Sequence, residues 1–237
     1  MKDFLLQNYM FINKAIIFIA AFVGLIMLKK YNQTVVKYFI YFLVYLFIAD
    51  ILGSYGKILT QLGYYPLIEN TVFKYNFWWV TITWYIGSAV FFAWYYRKLI
   101  KNEFLRNILR YALVLFLIVS IGSIILNFER LFTGTYKIIR IGNMSILMLS
   151  ALFYLYEMLH SEKVLEFYKD IHFYISVILL IYLLITIPLV HFVCGQANTD
   201  PNQAVLKWLI MLYANVFMYL SFAVALIVSK PKNDLPI

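Results

Sequence analysis

The chain has 237 residues, of which 64% are hydrophobic, 20% aromatic and only 13% charged. A water-soluble domain of this length carries more charge and much less apolar surface, so the composition excludes one. The net charge of +9 is spread over several connections, a pattern that follows membrane topology and not nucleic-acid binding.

Apolar runs of about 20 residues recur, the length that crosses roughly 30 Å of hydrocarbon. They predict an all-α, polytopic integral membrane protein with seven transmembrane helices in a single domain. The first span is placed at 10–28. Lys14 interrupts it and leaves 14 apolar positions before Lys29, so it resembles a signal peptide. No small-residue cleavage site follows, and a lysine at that depth snorkels to the interface. The second span, 35–59, carries Asp50, Gly53, Ser54 and Lys57. Asp50 lies 15 residues in from Val35, roughly 22 Å along a helix. The third, 75–96, sets Asn76, Thr83 and Gly87 on one face, with Trp78, Trp79 and Trp84 nearby. The pair at 78 and 79 also fits an interfacial aromatic belt. The fourth, 108–128, aligns Ser120, Ser123 and Asn127.

The fifth span, 136–159, has the most regular polar stripe. Arg140, Asn143, Ser150, Tyr154 and Glu157 are separated by 3, 7, 4 and 3 residues, with Leu147 in the gap. That spacing keeps one helix face, and lipid cannot satisfy such a face, so it is expected to point into the protein. Glu157, at the inner end, reaches headgroups or pairs with His160. The sixth span, 171–193, contains Thr186 and Pro188. The proline removes the helical partner of the Leu184 carbonyl. The seventh, 204–229, carries Asn215, about 16 Å in.

With the N-terminus outside and the C-terminus inside, inner segments hold twelve of the twenty Lys and Arg residues, as the positive-inside rule requires. The densest cluster is "YYRKLIKNEFLRNILR", between the third and fourth spans. Anionic lipid of the inner leaflet is its natural neighbour. No connection is long enough to form a domain, and the single Cys194 excludes an internal disulfide. Tyr85, Ala89 and Val90 match Tyr219, Ala223 and Val224 at one offset. In apolar sequence that match is at the level of chance, yet it keeps a three-plus-one-plus-three transporter open.

Asp50, Asn76, Thr83, Asn127, Arg140 and Asn143 all fall in the outer half of their spans. Together with Trp84 and Asn215 they are the candidate lining of a polar cavity that opens outward. A carboxylate in a membrane must be paired or protonated. Arg140 is the expected partner of Asp50 and Lys57 the second choice. The pair is read either as a structural link between helices or as part of a ligand site. Catalytic constellations are missing: there is no HExxH, GxSxG or glycine-rich phosphate loop. His160 and His172 are inner and His191 is outer, so the three do not share a metal. Paired histidine spacings of seven-span zinc hydrolases are absent, as is a retinal-binding lysine in "LIMLYANVFMYLSFAVALIVS". No metal or cofactor is expected.

The stretches "FFAWYYRKLI", "IGNMSILMLSALFYLYEMLH" and "YKDIHFYISVILLIYLLITIPL" resemble a family of small seven-span membrane proteins of Bacteroidetes-type bacteria. The likeness covers spans two to six and is one of hydrophobic and aromatic texture. Tyr174 stands where that family has Trp, and its glycine near Val177 is absent. The resemblance implies sensor histidine kinases as partners, because the family's genes often lie beside theirs. The resulting expectation is a non-enzymatic sensor or accessory protein of the bacterial inner membrane. A small transporter and an intramembrane lipid-processing enzyme using Asp50, Glu157 and histidines are the alternatives.

Overall fold

A computed structural model describes residues 2–161, 167–192 and 201–231. Cys194, Lys163, Lys232 and the tail from 232 onward lie outside them. The structure is 84% helical, with no strand among the described residues, and the protein is an all-α, multi-pass membrane protein. Among the described residues, seven helices are long and apolar enough to cross a membrane.

In chain order, α1 (Lys2–Gln7) leads into α2 (Tyr9–Met27), which holds Lys14 in its second turn. Next come α3 (Val36–Gly53), the short α4 (Tyr55–Gln61) and α5 (Pro66–Glu69), and a 3-10 turn at Val72–Lys74. The third span is assembled from α6 (Phe77–Val80), a π-helical segment (Thr81–Ile86) and α7 (Gly87–Leu99). It is followed by α8 (Glu103–Leu126), the single turn α9 (Arg130–Thr133), α10 (Lys137–Leu159), α11 (Ile171–Phe192) and α12 (Pro201–Val228).

Two boundaries depart from the sequence reading. The second span is not one helix over 35–59, because α3 stops at Gly53 and a separate helix resumes at Tyr55. The fourth begins at Glu103 and not at 108. Asn102 caps it, its Oδ1 accepting from the Phe104 and Leu105 amides at 2.9 and 3.3 Å. Arg106 and Arg110 therefore lie inside the helix, where hydropathy alone places the end of a span.

The chain divides into two compact units. One comprises residues 1–47 and 158–237, the other 48–157. In the first unit α2 and α12 run side by side in the same direction. Tyr9 meets Trp208 edge-on at 5.3 Å, and the Asn215 Nδ2 donates to Asn13 Oδ1 at 3.0 Å. At the far end the Lys30 ammonium donates to the Leu226 and Ile227 carbonyls at 3.1 and 2.8 Å. These are among the last carbonyls of α12, which have no helical partners of their own. The fully buried Tyr31 hydroxyl lies 3.0 Å from both the Leu226 and Ser229 carbonyls and shares its one proton between them. Thr34 shapes the turn into α3, donating to the Tyr31 carbonyl and accepting from the Val36 amide. Phe39 packs edge-on against Phe222 at 5.0 Å. Asp170 caps α11 through the His172 amide at 2.9 Å.

In the second unit α7 and α10 are parallel neighbours, linked at Ser88 and Asn143 and again at Tyr96 and Tyr154, whose rings are 5.7 Å apart. α8 meets α10 at Gly142. A Cβ there would sit 2.6 Å from the Phe116 ring, so any larger residue would force the ring to move.

Candidate functional site

Seven of the eight sequence-predicted site residues fall in the second unit: Asp50, Asn76, Thr83, Trp84, Asn127, Arg140 and Asn143. Asn215 belongs to the first, where it is half-buried and pairs with Asn13.

The centre of the second unit is built around two interruptions of regular helix. The first is the end of α3. A helix leaves its last four carbonyls without intrahelical donors, and in hydrocarbon each must find another. Two side chains, Asn76 and Ser54, and the Ser54 amide serve three of these carbonyls, and Trp79 adds a donor at Ala49, one position before them. The Trp79 indole Nε1 donates to the Ala49 carbonyl at 2.7 Å. The Asn76 Nδ2 donates to the Gly53 carbonyl at 2.7 Å. The Ser54 hydroxyl turns back to the Asp50 carbonyl at 2.8 Å. Gly53 is required here, since a Cβ would lie 2.7 Å from the Trp79 ring. Asp50 itself is half-buried at this helix end.

The second interruption is the π segment. Its wider turn inserts one residue, which rotates everything after it by about 100° relative to a continuous α-helix. The sequence expectation that Asn76, Thr83 and Gly87 share one face assumed an unbroken helix, so that alignment does not carry through. The Tyr85 carbonyl accepts from the Asn143 Nδ2 at 2.7 Å. The second hydrogen of the same amide goes to the Ser88 hydroxyl, also at 2.7 Å. Asn143 and Ser88 are buried. Thr81 and Thr83 turn their hydroxyls back to the Phe77 and Trp79 carbonyls at 2.8 and 2.7 Å, a bond that weakens regular helix. Trp84 is half-buried in the same segment.

The polar stripe of α10 faces inward as its spacing predicts. Asn143, Leu147, Ser150 and Tyr154 are buried, and Arg140 and Glu157 are half-buried. Ser150 bonds its own helix at the Ile146 carbonyl. Asn127 is exposed at the end of α8, where its carbonyl accepts from the Tyr136 hydroxyl at 2.6 Å.

Glu157 has a role beyond those the sequence suggested. Its carboxylate accepts from the Lys101 amide at 2.8 Å and from the Asn102 amide at 3.0 Å. It thereby ties the C-terminal end of α10 to the start of α8 through charge-assisted bonds. No local signal marks this contact, because the donors are backbone groups 55 and 56 positions away.

Among the described residues, no three His, Cys, Asp or Glu side chains come together as metal ligands would. Comparison with family models, with curated proteins and with solved structures returns no match to this chain.

Proposed function

We propose that this protein is a non-enzymatic sensor or accessory protein of the bacterial inner membrane, with its N-terminus outside, working through a partner such as a sensor histidine kinase. The observation that carries this reading is the paired interruption of α3 and the third span. Broken α3 and the π segment are bound to their neighbours by Trp79, Asn76 and Asn143. Irregular backbone at membrane depth persists only where the structure satisfies it, and π segments concentrate at functional positions. A π turn and an α turn differ by one residue of register, so relaxing the segment to α-helix would rotate the residues on its two sides relative to each other, a discrete step of the kind a switch uses.

The transporter alternative needs a repeat, and the repeat offset pairs the π segment at Tyr85 with Tyr219, which lies in the continuous helix α12. That mismatch counts against it. The test is reconstitution in liposomes of the full chain with a kinase encoded beside it. Kinase autophosphorylation should change several-fold when the chain is added, and Asn143→Leu should abolish the change while the variant remains folded. Turnover of a lipid or peptide by the purified chain alone, lost on Asp50→Asn, would overturn the proposal in favour of an enzyme.

A further inference from the structure

Between Gly53 and Phe77 the chain is folded but shallow. α4, α5 and the 3-10 turn contain no buried residue. Phe73 meets Trp78 and Phe132 of α9 edge-on at 5.7 and 5.9 Å, and local bonds order the rest. Gly63, at φ +77°, ends α4 with the Tyr64 amide donating back to the Leu59 carbonyl at 2.8 Å. Thr71 caps the 3-10 turn through the Phe73 amide. The Tyr55 hydroxyl bonds the Phe73 and Tyr75 carbonyls and draws the segment closed.

The exposed side chains are nevertheless large and apolar. Leu67 is 69% exposed, Leu62 62%, and Tyr64 and Val72 56% each. Phe73 and Tyr75 are also exposed. A connection in water does not keep such a patch in an ordered conformation. The patch also continues the outward stripe of α3: Ile48, Ile51 and Leu52 are exposed, and Ile58 and Leu62 follow beyond the break. α3 alone is roughly 27 Å long at the α-helical rise. That nearly fills the roughly 30 Å hydrocarbon core, so the segment beyond Gly53 comes at the level of the headgroups. Tyr55, Tyr64, Tyr65, Tyr75, Lys57 and Lys74 are residue types that settle at this boundary, rings at headgroup level and ammonium groups snorkelling outward.

We infer that residues 54–76 form an interfacial membrane segment whose partner surface is the boundary between lipid headgroups and acyl chains. Leu62, Leu67 and Val72 insert there, while Gln61, Glu69 and Asn70 face water. The inference holds whichever leaflet the segment meets, and it is independent of the signalling role proposed above.

The experiment uses the full chain in liposomes with Cys194→Ser. A single cysteine replaces Leu67 or, in a second variant, Leu62, and carries an environment-sensitive fluorophore. Both positions make no buried contact, so the variants retain the fold. Nitroxide labels near the lipid headgroup should quench the dye several-fold more than aqueous iodide does. Strong iodide quenching without nitroxide quenching would make the segment an aqueous loop. Protection from both quenchers would mean that protein covers it. Either result overturns the inference.

Discussion

Asp50 sits where a helix presents its negative end, since α3 terminates three residues later at Gly53. A carboxylate there is unfavourable to the helix dipole as well as to hydrocarbon. Arg140, half-buried in the same unit, is the cation expected to offset both terms. Asp50→Ala and Arg140→Ala should then couple by about 0.5–3 kcal/mol in a double-mutant cycle of thermal unfolding. Additive single changes would remove the pair. Tyr31 allows a different test, because it lies in the turn between α2 and α3. Burial pushes its hydroxyl up from 10.0 to about 12. The raised value means that the folded state holds the proton more tightly, so its contribution is complete below pH 10 and is lost as pH rises toward 12. Lys30 beside it is lowered by desolvation and so opposes this trend. The comparison must therefore be with Tyr31→Phe. That variant should be less stable at pH 8, by about 1 kcal/mol for the missing hydrogen bond. It should also lose less stability than wild type between pH 10 and 12. Parallel alkaline profiles would show that Tyr31 is not the titrating group.

At the scale of elements, the chain contains glycines of opposite meaning. Gly142 lets α10 meet Phe116, whereas Gly122 on α8 has open space where its Cβ would stand. Gly142→Ala overpacks a tight contact and should cost about 1–3 kcal/mol. Gly122→Ala adds helix propensity and should stabilise by about 0.5–1 kcal/mol. Thermal unfolding in detergent distinguishes them, and equal effects would contradict the α8 and α10 packing. Neither role is readable from sequence, since both glycines stand in apolar runs. The break of α3 is not legible, because Gly53 and Ser54 stand within an apolar run that reads as one span and as part of its polar stripe, and Trp79 reads as part of an interfacial belt. The π segment left no signal, because nothing in "TITWYI" distinguishes a wide turn from an α turn. The inward face of α10 was readable because its polar residues have only one favourable direction in a membrane. The partners of that face, Tyr85 and Ser88, were not.

For the whole molecule, the seven spans follow from length and hydropathy alone, since no other element satisfies so much backbone in hydrocarbon. Which helices pack together does not follow. Lipid-facing and protein-facing surfaces are both apolar, so the periodicity that exposes a soluble core is weak here. The grouping of spans one, six and seven with most of span two therefore had no counterpart in the sequence. Orientation is encoded differently, in the unequal distribution of Lys and Arg. With the N-terminus outside, the segment from Arg97 to Arg110 faces the cytoplasm with five basic residues and one acidic one, Glu103. Glu157 and Asn102 hold its start in place, and the Arg106 guanidinium pairs with Glu103 at 3.2 Å. Four basic groups there remain beyond that pair, and moving them across a membrane against its potential would cost about 2.3 kcal/mol per charge for each 100 mV. The opposite orientation would place this cluster outside, against the positive-inside rule on which the proposed orientation rests. Single cysteines at Lys101 and Glu129, both exposed and in consecutive connections, report the side directly in a Cys194→Ser background. A membrane-impermeant maleimide added to intact cells should label Glu129→Cys and leave Lys101→Cys unmodified until the membrane is permeabilised. The reverse pattern would invert the protein, and labelling of both in intact cells would mean that α8 does not span the bilayer.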